Sequence, residues 1–183
     1  MIDLHCHSIF SDGTLTPEEL IERAEQQQIR YLSLTDHDTI AGYPRLLARA
    51  AHSTVTIIPG IELSTRWKKY DIHILGYQIK STKELDQLIQ RQVDSRIERA
   101  KKIGEALATL GLEDAYQKAC SLAGHERAAR PHFAQVLVNE NMARDLQTAF
   151  KHYLVKGRKG YIPTPWLSVA EAVEGIAANG GQA

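Results

Sequence analysis

Four short apolar runs alternate with helical patterns through the first 80 residues, and each run carries or passes into a histidine or a carboxylate. Ile2–Cys6 reads as a strand. Thr16-Pro17-Glu18-Glu19 then opens a helix, with Thr16 as N-cap, Pro17 at the first helical position and Glu19 completing a capping box. Leu20, Ile21 and Ala24 give that helix its buried side, and it fades in Gln26-Gln27-Gln28. Residues 30–35 are a second run, followed by a helical pattern over 44–51. Residues 55–58 are a third, β-branched and stopped by Pro59-Gly60, and residues 71–79 are a fourth. Such alternation leaves few folds open. It predicts βαβ units in an α/β protein with a largely parallel sheet.

After residue 80 the pattern changes. Leu85, Leu88, Ile89, Val93, Ile97 and Ala100 begin an apolar series that keeps helical spacing as far as Gly111. Shorter helical segments follow over 115–122, 131–139 and 146–154. The next strand is expected at Gly160-Tyr161-Ile162-Pro163, and a last amphipathic helix over 168–178 closes at Asn179-Gly180-Gly181. The chain therefore divides into an α/β part (1–80), an all-helical insertion (81–160) and a return to the α/β part (161–183).

The 22 basic and 22 acidic side chains cancel, which excludes a uniformly basic coat for double-stranded DNA. The cancellation hides a pattern: net charge is −2 over 1–80, +4 over 81–160 and −2 over 161–183. No apolar run approaches the roughly 18 residues of a membrane span. Two cysteines, Cys6 and Cys120, cannot build a disulfide framework, and no signal-peptide pattern opens the sequence. The expected setting is cytoplasmic, with no membrane partner; composition says nothing of oligomeric state.

His5-Cys6-His7 ends the first strand, where residues two apart share a face, so both imidazoles point one way and Cys6 the other. Asp12 follows in Ser11-Asp12-Gly13. The second run ends in Thr35-Asp36-His37-Asp38, the third leads into Gly60-Ile61-Glu62, and the fourth carries His73. Parallel α/β folds gather their sites at the carboxyl ends of strands. Taken singly, these residues have plain structural roles. Asp36 and Asp38 could cap the next helix, Glu62 could be a loop acid, His73 a hydrogen-bonded core histidine, and Cys6 fits a core position better than a ligand's. Their joint placement points to a metal site. Four imidazoles with two carboxylates exceed one ion's needs, and mixed N/O donors suit Mn²⁺, Fe or Zn²⁺ better than Mg²⁺.

Asp3-Leu4-His5-Cys6-His7, Ser11-Asp12-Gly13, Thr35-Asp36-His37-Asp38, Pro59-Gly60-Ile61-Glu62 and Asp71-Ile72-His73 resemble the opening motifs of the PHP (polymerase and histidinol phosphatase) family. Ala129-Arg130-Pro131-His132-Phe133 and the 156–163 segment are similar to one branch, the nucleoside 3′,5′-bisphosphate phosphatases and a 5′-to-3′ exoribonuclease. The resemblance implies a distorted (β/α)₇ PHP barrel with up to three divalent ions, commonly Mn²⁺. It implies His5, His7, Asp12, His37, Glu62 and His73 as ligands. It also implies later ligands, a His in an Ala-His-Pro segment and an Asp-x-His pair, that this sequence does not contain. Complete barrels need about 250 residues. The expectation is an incomplete barrel, from a piece of a longer protein.

Arg96 and Arg99, three apart on one helix, are candidates to grip phosphate, as are Arg130 and His132 at a helix start. A solvated face for Arg96 and Arg99, and a capping role for His132, are the plainer readings. Lys156, Arg158 and Lys159 form a small basic loop expected to be solvated. Asp36 is expected to orient a ligand from behind the site. The implied activity is hydrolysis of phosphate esters, of nucleoside 3′,5′-bisphosphates or the 5′ ends of short RNA, by a metal-activated hydroxide. Histidinol phosphate is the alternative substrate, and an inactive, metal-poor fragment the alternative to an enzyme.

Overall fold

The structure is a computed structural model that describes residues 1–164 and 166–183. It divides into two units: Met1–Val93 with Trp166–Ala183, and Asp94–Pro165.

In the first unit, the start of helix α1 (Pro17–Gln26) is set by adjacent residues. Glu19 N donates to Thr16 Oγ1 at 3.2 Å while Thr16 N donates to Glu19 Oε2 at 2.7 Å, the capping box expected from the sequence. With α2 (Tyr43–Ala50) it links three parallel strands, β1 (Ile2–Cys6), β2 (Tyr31–Leu34) and β3 (Thr56–Ile57), in the order β1-β2-β3. Leu20, Ile21 and Ala24 of α1 and Leu46 of α2 bury themselves against Leu32 and Leu34 of β2. The βαβ expectation holds for this sheet.

It fails for the next one. Gly60 does not end a strand but begins β4 (Gly60–Trp67), which pairs antiparallel with β5 (Tyr70–Tyr77). Only Lys68 and Lys69 join them, Lys68 at φ 54°, and a parallel crossover needs a dozen residues or more. β6 (Leu167–Ser168) adds in parallel to the other edge of β4, giving the order β5-β4-β6. The largely parallel sheet is thus corrected to two three-stranded sheets, one of them mixed. No closed barrel forms among the described residues. α7 (Val169–Ala178), opened by a Ser168–Glu171 capping box, sets Ala172 and Ile176 against Ile61 and Leu63 of β4.

The long helix α3 (Lys83–Ala108) begins in the first unit, and its later turns belong to the second. There α4 (Ala115–Ala123), α5 (Arg130–Asn139) and α6 (Leu146–Ala149), which widens into a π-helical turn over Phe150–Leu154, share a core around Leu107, Leu112, Phe133, Leu137 and Leu154. The strand expected at 160–163 is absent among the described residues. Gly160 N and Tyr161 N turn back to the carbonyls of Tyr153 and Arg158, and the Ile162 carbonyl accepts from Arg99 Nε, so these groups are not offered to a sheet. Among the described residues no helix is long and apolar enough to cross a membrane.

Candidate metal centre

The segment after β2 carries the first unit's two sheets into contact. His37 bridges Glu62 in parallel fashion: Asp38 N donates to the Glu62 carbonyl at 2.9 Å, and Glu62 N to the Asp36 carbonyl at 3.3 Å. Tyr77 OH of β5 donates to the Leu4 carbonyl of β1 at 2.9 Å. These links bring the end of β1, the end of β2 and the β4–β5 hairpin to one place.

Glu62 lies at the middle of that place. His5 Nε2 stands 2.8 Å and His7 Nε2 3.1 Å from its Oε2, while His73 Nδ1 stands 2.6 Å from Oε1. His37 Nδ1 is 3.7 Å from Oε2. Asp12 closes the far side, 3.6 Å from His7 Nδ1 and 3.6 Å from His37 Nε2. Neighbouring ring centroids are 5.2 Å apart for His5 and His7, 4.6 Å for His7 and His37, and 4.8 Å for His37 and His73. Burial alone would raise the Glu62 pKa. The hydrogen bonds from His7 and His73, the charge of His37 and the hydrogen bond from His5 overcome it and hold the carboxylate far below its usual range. Burial likewise disfavours protonation of His7, but its hydrogen bond to Glu62 and the charges of Asp12, Glu62 and Asp36 raise it on balance.

Three sets of side chains have ligand atoms within 4.8 Å of one another: His5, His7 and Glu62; His7, Asp12 and His37; His37, Glu62 and His73. The donor chemistry fits divalent ions. Four imidazoles gathered around a buried carboxylate, with a second carboxylate beside them, are a mixed N/O donor set of the kind that binds such an ion. All six ligand candidates from the sequence meet here. One detail differs: Glu62 belongs to strand β4, with its charge pointing away from the Ile61 and Leu63 core, and is no loop acid.

Asp36 and Asp38 stand behind this centre, and neither caps α2, whose N-cap is Gly42. Asp36 accepts from Ser8 N at 2.7 Å, Ser8 Oγ at 2.6 Å and Ser11 Oγ at 2.6 Å. Burial pushes its carboxyl upward against the pull of these serine hydrogen bonds. Ser11 Oγ also lies 3.4 Å from His7 Nδ1, so Asp36 fixes the turn that carries Asp12 and reaches His7 through Ser11. In that turn, a Cβ on Gly13 would press into the His7 carbonyl and come within 2.8 Å of Ser8 N. Asp38, fully buried at φ 51°, accepts from Ser64 N at 2.8 Å and Gln92 Nε2 at 3.0 Å. Cys6 donates its thiol to the Ser33 carbonyl at 3.3 Å; burial, with the charges of Asp3 and Asp36, pushes its pKa up to about 12. A thiol held protonated is an unlike partner for a cation.

Sequence reasoning missed Ser8, Ser11 and Gln92. Gln92 had a signal: it falls seven residues after Leu85, on the apolar stripe of α3, where a polar residue needs a buried partner. Arg96, Arg99, Arg130 and His132 are half-buried and all belong to the second unit. Arg99 Nε donates to the Ile162 carbonyl at 3.2 Å, so it is not a simple solvated side chain. His132 Nδ1 accepts from Ala129 N at 2.9 Å, the capping geometry that was its plainer reading, and its ring stands edge-on to His125 at 6.1 Å.

A family model described as PHP domain matches residues 3–161. The chain is 40% identical over 180 residues to a 5′-3′ exoribonuclease of Haemophilus influenzae, covering 98% of this chain and 65% of that relative. It is 36% identical over 184 residues to a 3′,5′-nucleoside bisphosphate phosphatase of Chromobacterium violaceum, covering 100% of this chain and 65% of the relative. Among solved structures, an amidohydrolase from Chromobacterium violaceum with bound sulfate and no metal matches with a TM-score of 0.92 at 36% identity, over 98% of this chain and 64% of that one. The chain thus spans 65% of the length of each of these two relatives, less than two thirds.

Proposed function

Because the chain belongs to the PHP domain family, we propose that it serves a metal-dependent phosphoesterase acting on nucleoside 3′,5′-bisphosphates and on the 5′ ends of short RNA. The observation that carries this is Glu62 ringed by four imidazoles, with Asp12 completing three overlapping sets of ligand atoms. The names of the two relatives supply the nucleotide substrates. His5, His7, Asp12, His37, Glu62 and His73 would hold up to three ions, with Mn²⁺ proposed first and Fe or Zn²⁺ also suited to mixed N/O donors. Bound there, divalent ions supply an activated water and polarise phosphoryl oxygens.

The protein's own groups do the rest. Asp36 and its serines hold the Asp12 turn, which keeps the ligand atoms near one another before any ion arrives. Arg96, Arg99, Arg130 and His132 are proposed as substrate-binding residues, the arginines suited to phosphate by their planar fork. The two parallel β-α units of the first sheet are proposed to open the distorted (β/α)₇ barrel that the family resemblance implies, and the cytoplasm is proposed as its setting. The test compares phosphate released by the Mn²⁺-loaded chain from a nucleoside 3′,5′-bisphosphate and from histidinol phosphate. Faster release from the bisphosphate supports the proposal. Preference for histidinol phosphate, or release from neither, overturns it.

A further inference from the structure

The tip of the β4–β5 hairpin has no task in the metal centre, yet its composition is unusual for a turn: Arg66-Trp67-Lys68-Lys69-Tyr70-Asp71. Trp67 and Tyr70 are partners in the ladder, and both stay in solvent, 50% and 53% exposed. Lys68 Nζ lies over the Trp67 ring at 4.7 Å and Lys69 Nζ over the Tyr70 ring at 5.3 Å. Arg66 Nε is neutralised by Asp71 Oδ1 at 2.8 Å, which leaves the two lysines as the net charge of the tip. A cross-strand aromatic pair helps to close a hairpin. That need does not call for a cation over each ring or for half of each ring in water.

Paired aromatic faces and mobile cations are what a single-stranded nucleic acid binds: bases stack on the rings, and phosphates meet the ammonium groups. The two lysines complement a polyanion, whereas an apolar or acidic peptide partner would use the rings and leave the lysines idle or the reverse. Strand alternation puts Trp67 on the face of Ile61 and Leu63, opposite to Glu62. Five residues of strand separate Glu62 from Trp67, about 16 Å at the usual rise. Because the tip's rings lie on the opposite face, the path is longer than this, and at least roughly five stacked nucleotides at about 3.4 Å each are needed to span it. A mononucleotide held at Glu62 would not reach the tip, whereas a longer strand would.

We propose that the β4–β5 hairpin tip, Trp67 and Tyr70 with Lys68 and Lys69, is a stacking platform for single-stranded RNA, holding the part of the strand that trails behind the end being hydrolysed. The choice of RNA as occupant rests on the nucleotide-phosphoesterase function proposed above; the platform rests on the tip itself.

The test is direct binding of a 3′-fluorescein oligoadenylate of about eight nucleotides, within the usual site size of such platforms, followed by anisotropy over a range of salt. W67A/Y70A should weaken binding about tenfold or more. K68Q/K69Q, a variant that leaves both rings in place, should flatten the slope of log K against log salt by about 1.4, two phosphate contacts on a single strand. If both variants bind the oligonucleotide as the wild type does, in affinity and in salt slope, the proposal is overturned. Sedimentation of the wild type with phosphatidylserine vesicles, without binding of the oligonucleotide, overturns it in favour of a membrane surface. Binding needs no turnover, so the two proposals fail separately. A wild-type chain that binds RNA through the tip but releases no phosphate from the bisphosphate keeps the platform and loses the phosphoesterase.

Discussion

Glu62 is 4% exposed, a burial that a carboxylate tolerates only when its charge is met on all sides. Here imidazoles from β1, from the end of β2 and from β5 meet it, so one side chain ties three segments together. Asp36 has the same importance one step further back. Asp36→Asn keeps the shape but replaces an acceptor oxygen by an NH₂ that faces serine hydroxyls and a backbone N–H. The expected result is a loss of Mn²⁺ affinity of about 10–100-fold, the usual range when a group supporting a ligand is removed, measured by calorimetric titration; unchanged affinity would show that the Asp12 turn holds without it. At this scale the sequence was most legible. Imidazoles two apart on a strand, and acids beside histidines at successive strand ends, are local patterns. The serines on Asp36 were not legible, because serine is common in turns and its partner lies 25–28 residues away.

Elements were read well where neighbours decide them and poorly where distant pairing does. The Thr16–Glu19 box and the stop of α3 before Gly111, whose φ is 91°, depend on adjacent residues and were legible. β4 was missed because Pro59-Gly60 reads as an ending, although Ile61 and Leu63 alternate with Glu62, Ser64 and Arg66 in the sequence; the structure buries both faces of residues 60–65. What decides β4 is its partner β5 and the helix α7 behind it. Gly76 marks that packing: a Cβ there would lie 2.9 Å from the Ile176 side chain. Gly76→Ala should therefore destabilise the chain by about 1–3 kcal/mol through overpacking, seen as a lower urea midpoint. An unchanged midpoint would mean that α7 can shift without cost.

For the whole molecule, the charge balance proved to be a sum of unlike parts, with the acidic residues of 1–80 containing Asp12 and Glu62 and the excess of basic residues falling in 81–160. The two units also keep separate cores, one around Phe133 and Leu107, others around Leu46 and Ile61. Phe133 is fully buried, so Phe133→Ala should cost about 3–5 kcal/mol in denaturation while Mn²⁺ affinity in the first unit persists; loss of metal binding would show that the first unit depends on the second. Whether six side chains of the first unit form one metal centre is decided by titrating Mn²⁺ into the wild-type chain and into Glu62→Gln, His7→Ala and His52→Ala. His52 is exposed and outside the three ligand sets. The wild type and His52→Ala should bind alike, and Glu62→Gln and His7→Ala should lose at least about 100-fold in affinity. Equal affinity in all four proteins would contradict a single metal centre.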